Sequence, residues 1–207
     1  MNTRKYLYIV AFVFLFANVS FAAKWKAKHV VLIGLDGWGA YSVEKAEMPT
    51  VKKLMAEGTV GNMPSLLNTR DGSSGVREPH SVYPCTKPNL CAVIFDNPDH
   101  VGHADGHDTP EYYNMLKVLD GYIAQIVEAV KEAGILDDTI FIVTSDHGGI
   151  KKGHGGKTMQ EMETAFIISG KGIKKGYEFT ESMMQFDTAA TIAHIFNLKQ
   201  PQVWIGR

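Results

Sequence analysis

The sequence has few of the features that identify nucleic-acid-binding, cysteine-rich or repeat proteins. Its formal net charge is −1, and binding to nucleic acid through electrostatic attraction usually needs a basic face. Only two cysteines are present, Cys85 and Cys91, and without a CxxC spacing they do not suggest a metal site. Whether they form a disulfide or Cys91 is a buried thiol stays open. No internal repeat or low-complexity segment is visible, which leaves a compact globular domain.

The only long hydrophobic run lies at the amino terminus. Arg4 and Lys5 precede the apolar stretch from Tyr6 to Val19, and Ser20-Phe21-Ala22 follows it. This order is typical of a signal peptide, here residues 1–22, and the run is short for a membrane span. We expect an exported protein, periplasmic or secreted, without a stable membrane span after cleavage. An uncleaved anchor is the alternative.

The rest, residues 23–207, is predicted to form one α/β domain in which strands and helices alternate. Strands are expected over 29–35, from Leu90, over 140–144 and over 166–168, and helices over 49–57, from Thr109 and from Asp187. The strands read as buried strands of a parallel sheet, because they are rich in Val, Ile and Phe. The fold class is therefore a three-layer sandwich with a mainly parallel sheet. Residues 59–88 are rich in turn-forming residues and show neither helical nor strand periodicity, so we expect an irregular segment there.

Acidic residues and histidines follow three of these predicted strands. The carboxyl ends of parallel strands share one edge, where ligands of α/β proteins collect. A mixed oxygen and nitrogen donor set suits zinc, or less specifically manganese or iron. Six ligands are too many for one tetrahedral ion but fit two divalent ions with three ligands each, and the donor set favours Zn²⁺. The candidate metal ligands are Asp36, Asp99, His103, Asp146, His147 and His154.

Three motifs resemble the alkaline phosphatase superfamily, in particular its nucleotide pyrophosphatase/phosphodiesterase-like (type I phosphodiesterase) branch. They are Leu35-Asp36-Gly37, the stretch from Asp96 to His103, and Ser145-Asp146-His147-Gly148-Gly149 with Gly153-His154-Gly155-Gly156. The resemblance implies one zinc held by Asp99, His103 and His154, and another held by Asp36, Asp146 and His147. It also implies a small phosphate-ester or nucleotide substrate. We expect His107 to lie behind the ligands or in solvent.

The nucleophile that the resemblance implies is missing from its expected place. The family carries Thr or Ser three positions beyond a proline, and three beyond Pro64 lies Leu67. Hydroxyls at Ser65, Thr69, Ser73 and Ser74 lack the expected context, so no catalytic residue is assigned. The sequence around Cys85 does not match the Cys-x-Pro-x-Arg pattern of related sulfatases. The leading expectation is an exported two-metal phosphodiesterase or nucleotide pyrophosphatase, and the alternative is a shortened, non-catalytic metal-binding remnant.

Overall fold

The computed structural model describes residues 26–64 and 87–207, so the proposed signal peptide and residues 65–86 lie outside the described part. Within these ranges the helices are α1 to α5 and the strands β1 to β6. Two short 3₁₀ turns, Ala40–Ser42 and Leu136–Asp138, lie between them. In chain order the elements are β1 His29–Leu35, α1 Pro49–Ala56, β2 Gly58–Pro64, β3 Leu90–Phe95, α2 Asp99–Asp105, α3 Pro110–Glu132, β4 Thr139–Thr144, α4 Met159–Met162, β5 Glu163–Gly170, β6 Tyr177–Glu178 and α5 Asp187–Ile195.

The six described strands form one sheet in the order β3-β1-β4-β5-β2-β6. β1 pairs in parallel with β3 and β4, and β5 pairs antiparallel with both β4 and β2. Because β2 also runs parallel to β6, only β5 runs against the other strands. The sheet is therefore mixed but mainly parallel, and the carboxyl ends of β1, β3 and β4 meet at one edge.

Helices cover both faces of the sheet, which confirms the predicted three-layer sandwich. On one face α1 and the long α3 pack over alternate residues of the central strands, among them Val31, Ile33 and Val143. On the other face Ile195 and Phe196, at the end of α5, join a smaller cluster with Val30 and Ile142. Alternate side chains of β1 thus enter different cores, as a strand buried on both sides requires.

The long helix α3 begins where its sequence predicts. Thr109 is the N-cap, and its hydroxyl accepts the backbone N–H of Tyr112 at 3.3 Å. Pro110 takes the first helical position, where a missing N–H costs nothing. Gly134 follows the helix with a φ of 68°, a conformation that favours glycine.

Three local predictions need correction. The sequence predicted an irregular segment from residue 59, but residues 58–64 form the strand β2. They do so because β5 and β6 supply hydrogen-bonding partners on both sides. β3 is an edge strand rather than a buried one, and its Leu90 and Ile94 are each 48% exposed. Asp187 does not cap α5, since Phe186 is the N-cap; its carboxylate accepts the N–H groups of Met184 and Arg207 instead.

No helix in the described part of the chain is long and apolar enough to cross a membrane. Cys91 is half-buried on β3, and Cys85 lies outside the described residues, so the question of a disulfide between them stays open.

Candidate metal centre

The carboxyl ends of β1, β3 and β4 bring the predicted acidic residues to one edge of the sheet. Asp36 directly follows β1, and its backbone N–H extends the ladder by donating to Phe95 O at 3.0 Å. The carbonyl of Asp36 accepts the N–H of Asp99, the first residue of α2, at 2.9 Å. Asp146 follows β4, and its Oδ1 accepts the N–H of Gly37 at 3.3 Å. Backbone contacts between the three loops therefore fix the separations of the carboxylates.

One group of converging ligand atoms consists of Asp99, His103 and His154. Asp99 Oδ2 lies 3.1 Å from His103 Nε2, one helical turn further along α2, and 3.8 Å from His154 Nε2. The candidate atoms of these three residues all lie within 4.8 Å of one another. His154 lies in the glycine-containing loop after β4, so the group combines residues from two distant parts of the sequence.

A second group consists of Asp36, Asp99 and His147, with the same 4.8 Å limit between ligand atoms. His147 Nε2 lies 3.2 Å from Asp36 Oδ1 and 3.7 Å from Asp146 Oδ2. Asp146 lies beside this group rather than inside it, and its Oδ1 accepts the N–H of His147 at 2.9 Å. The structure thus brings all six predicted residues to one edge, with Asp99 shared between two overlapping groups.

Backbone carbonyl groups orient two of the imidazole rings. His147 Nδ1 donates to Gly148 O at 2.7 Å, and His103 Nδ1 donates to Lys152 O at 3.0 Å. Each ring therefore presents Nε2 to the carboxylates, the usual arrangement of a metal-binding histidine whose other nitrogen is held by a carbonyl. The ring of His154 stacks on that of His147, with centroids 3.7 Å apart.

The carboxylates make the site strongly negative. Burial lowers the pKa of His147, but its contact with Asp36 and the charge of Asp146 outweigh burial and raise it to about 9. Burial and the positive charge of His147 lower the pKa of His154. Burial raises the pKa of Asp146. For Asp99 burial acts in the same direction, but the contact with His107 and the charges of the neighbouring histidines outweigh it and lower its pKa.

Two carboxylate oxygens in the site are buried without a hydrogen bond in the described structure. They are Asp36 Oδ1 and Asp99 Oδ1. A buried carboxylate oxygen without a hydrogen bond is costly unless a cation compensates it. Together with the oriented Nε2 atoms, Asp36 Oδ1 and the other oxygen of Asp99, Oδ2, fit a divalent metal ion with mixed oxygen and nitrogen ligands.

Several supporting residues were not predicted from the sequence. The hydroxyl of Ser145 accepts the N–H of Trp38 at 2.9 Å and donates to His147 O at 2.8 Å, so it joins the loops after β1 and β4. Gln185 Nε2 donates to Ser145 O and Asp146 O at 3.0 and 2.6 Å. Gln185 has no sequence signal, because it acts on the backbone of a distant loop. Ser145 lies in a recognisable motif, but the motif does not show its contact with Trp38.

Glu161 is a further support, and it does carry a sequence signal. Its carboxylate accepts the N–H of Gly156 at 2.8 Å and forms a capping box with Thr158 at the start of α4. A Thr followed three residues later by Glu is the usual pattern of such a box. Its backbone carbonyl accepts the N–H of Gly148 at 2.8 Å. Glu161 therefore connects the loops that carry His147 and His154.

A cavity of about 220 Å³ opens beside Asp36 and Asp146. Its walls include the apolar side chains of Leu32 and Ile94, and Thr188 from α5. The position expected for the nucleophile, Leu67, and the hydroxyls Ser65, Thr69, Ser73 and Ser74 lie outside the described residues. Of the three lysines near the site, Lys152 donates to Ala104 O at 2.7 Å, whereas Lys151 and Lys157 are exposed.

The sequence of the chain is similar to those of several known proteins. Residues 68–170 match the family model of type I phosphodiesterase / nucleotide pyrophosphatase. Among curated proteins, arylsulfatase K of Danio rerio is 26% identical over 111 residues, which cover 47% of the chain and 21% of that protein. GPI ethanolamine phosphate transferase 2 of Kluyveromyces lactis is 27% identical over 128 residues, which cover 52% of the chain and 16% of the transferase. The chain thus spans only a small part of the length of these relatives.

Solved structures share the fold. An inactive variant of murine ectonucleotide pyrophosphatase / phosphodiesterase 5 in complex with AMP superposes with a TM-score of 0.70 and 12% identity, covering 84% of the chain and 96% of that structure. The human protein of the same name matches equally well. The resemblance predicted from the motifs is thus confirmed: in sequence and in fold, the chain is similar to the nucleotide pyrophosphatase/phosphodiesterase branch of the alkaline phosphatase superfamily.

Proposed function

We propose that this chain is a two-metal hydrolase of phosphate esters, of the phosphodiesterase or nucleotide pyrophosphatase type. The observation that carries the proposal is the pair of overlapping ligand groups, each with its candidate atoms within 4.8 Å. Two ions bound side by side form the usual clamp for in-line displacement at phosphorus, with a separation of roughly 3.5–4 Å. The match to the type I phosphodiesterase family supports the same reaction class.

In this proposal Asp99, His103 and His154 hold one ion, and Asp36, Asp146 and His147 hold the other. Asp146 Oδ2, 3.7 Å from His147 Nε2, thereby takes the place that Asp99 has in the second geometric group, so that Asp99 serves the first ion. Asp36 Oδ1, which is buried without a hydrogen bond, supports a ligand role for that carboxylate. The distances of Asp99 Oδ2 to His103 Nε2 and His154 Nε2, 3.1 and 3.8 Å, support one for Asp99. The mixed donor set favours zinc. When bound, the two cations would polarise a phosphoryl oxygen and neutralise its charge.

The residues around the site suit a small anionic ester. Three carboxylates opposite two divalent cations leave about one net positive charge, which favours a phosphoryl group. The cavity of about 220 Å³ beside Asp36 and Asp146 has room for part of the organic group. The AMP bound to the murine structure supports a nucleotide-like substrate. Nucleic acid is not an expected partner.

The proposed location is the periplasm or the extracellular space. The support is the amino-terminal sequence, where basic residues precede an apolar run and small residues follow it. One curated relative is named as an extracellular sulfatase, from Drosophila melanogaster, which fits an exported protein.

The test is hydrolysis of bis(p-nitrophenyl) phosphate by protein loaded with two equivalents of zinc. We expect release of p-nitrophenol that a chelator abolishes and that Asp146→Asn reduces by at least about 100-fold, since that variant weakens an assigned ligand. Asp137→Asn, a change of an exposed aspartate far from the site, is the control and should keep full activity. Zinc-loaded protein without turnover would reject the catalytic proposal.

A second candidate is metal binding without catalysis. It is favoured by Leu67, which has no nucleophilic atom at the position where the family carries a hydroxyl. Elemental analysis beside the activity assay separates the two candidates: bound zinc with no release of p-nitrophenol favours the second.

A further inference from the structure

His107 lies in a space that neighbouring glycines leave open. Its side chain is fully buried in the loop between α2 and α3. A Cβ atom added at Gly102 or Gly149 would lie 2.4 or 2.3 Å from the imidazole ring. The backbone N–H of His107 donates to Lys151 O at 2.6 Å, which fixes the loop against the segment that precedes His154. Sequence and fold therefore make room for an imidazole at this place.

The ring of His107 has an unusual polar environment. Neither Nδ1 nor Nε2 has a hydrogen bond to any residue in the described ranges, and Asp99 Oδ1 is likewise buried without one. These unpartnered groups face each other, with His107 Nε2 3.5 Å from Asp99 Oδ1. Burying unpaired polar groups is unfavourable for folding. An apolar side chain would fill the same space at lower cost, so packing alone does not explain a histidine here.

The two oxygens of Asp99 face different partners. Oδ1 faces His107, whereas Oδ2 faces His103 Nε2 at 3.1 Å and His154 Nε2 at 3.8 Å. A donor on one oxygen fixes the rotation of the carboxylate and directs the other oxygen to a ligand. Outer groups that hold metal ligands in this way are a general feature of metal sites.

We propose that His107 is a positioning residue that donates Nε2–H to Asp99 Oδ1 and thereby holds Asp99 Oδ2 toward His103 and His154. This inference deepens the proposed function and rests on its metal assignment. In the described part of the chain His107 belongs to neither group of converging ligand atoms, so we assign it a place behind Asp99 rather than on the metal. Its ring lies behind the carboxylate and against Tyr112, with centroids 5.4 Å apart.

The first experiment compares His107→Met with His107→Gln. Methionine is similar in size but has no N–H, whereas glutamine keeps an N–H donor on a chain of similar length. Zinc affinity is measured by competition with a chromophoric chelator. We expect His107→Met to raise the zinc Kd by about 10- to 100-fold and His107→Gln to restore most of the affinity.

The stability of the metal-free variants separates positioning from packing. We expect His107→Met to lower the melting temperature of the metal-free protein, because Asp99 Oδ1 loses its donor, and His107→Gln to restore most of it. An unchanged zinc Kd in His107→Met would overturn the proposal. So would an equal loss of affinity and an equal fall in melting temperature in both variants, since that pattern indicates a packing role.

A second readout does not need metal. Nitrogen-15 spectra of histidine-labelled, metal-free protein report which ring nitrogen of His107 carries the proton. We expect protonation at Nε2, with Asp99→Asn perturbing that signal, and protonation at Nδ1 alone would refute the pairing. Failure of wild-type protein to bind zinc would instead reject the proposed function, and the spectra would still decide whether His107 is paired with Asp99.

Discussion

The carboxylate of Asp120, in the middle of α3, accepts the N–H of Val51, in the first turn of α1, at 2.9 Å. Its other oxygen accepts the N–H of Thr50 at 3.0 Å. Helix α1 has no side-chain cap of its own, because Met48 occupies the N-cap position. Asp120 therefore caps α1 from another helix and joins the two helices that cover one face of the sheet.

Replacing Asp120 with alanine is expected to lower the free energy of unfolding by about 2–3 kcal/mol, since two buried N–H groups lose their partner. Asp120→Asn keeps one acceptor oxygen and should cost about half as much. Urea denaturation measures both changes, with Asp137→Ala, an exposed aspartate, as the control. A loss in Asp120→Ala no larger than in the control would show that the two hydrogen bonds contribute little.

Replacing two glycines by alanine, one inside α3 and one just after it, is expected to change stability in opposite directions. Gly121 lies inside the helix and Gly134 follows it with a φ of 68°, and an added Cβ would meet nothing within 4 Å at either position. Gly121→Ala should therefore stabilise the protein by about 1 kcal/mol through helix propensity. Gly134→Ala should destabilise it by about 1 kcal/mol through backbone strain. Thermal unfolding checks both, and the same sign for both variants would contradict the argument.

The elements that sequence predicted well have local causes. β1 begins and ends at His29 and Leu35 as expected, because its apolar run is bounded by polar residues and by a glycine turn. Helix α3 begins at Pro110 because Thr109 caps it. β2 was missed because it contains two glycines and a proline, and its pairing with β5 and β6 comes from residues about 100 positions away or more. Local propensity does not carry that information.

In the candidate site, too, locally encoded features were predicted and features that depend on distant contacts were not. Its six predicted residues were recognisable because strand ends and a glycine-containing motif mark them, and the structure brings them to one edge. The sharing of Asp99 between two groups was not predictable, because it depends on the 2.9 Å backbone contact from Asp99 to Asp36. Ser145 and Gln185 were missed for a similar reason, since each holds the backbone of another loop.

Asp138 gives a prediction for the pH dependence of stability. Hydrogen bonds from Lys171 and Lys28 lower its pKa to about 2 from an ordinary value of 3.8. A carboxyl group with a lowered pKa in the folded state contributes stability above its unfolded pKa, and this contribution is lost as the pH falls through the folded pKa. The difference in stability between wild type and Asp138→Asn should therefore be largest near neutral pH and shrink between about pH 4 and 2.

Urea denaturation of wild type and Asp138→Asn at several pH values measures that difference. Asp137→Asn, a change of the neighbouring exposed aspartate, serves as the control and should show no such trend. A difference for Asp138→Asn that stays constant from neutral pH down to about pH 2 would mean that the two lysines do not hold the carboxylate in solution.

Glu161 is expected to control metal affinity without touching a metal. Its carboxylate holds the N–H of Gly156 at 2.8 Å, and its carbonyl holds the N–H of Gly148 at 2.8 Å. Glu161→Ala removes the first contact and the capping box but keeps the second, so the loop of His154 should loosen more than that of His147. We expect the zinc Kd to rise by about 10-fold, the lower end of the range for residues that hold metal ligands in place. Competition with a chromophoric chelator measures it, with Glu132→Ala at the exposed end of α3 as the control. If Glu161→Ala binds zinc as tightly as that control, the contact with Gly156 has no part in placing His154.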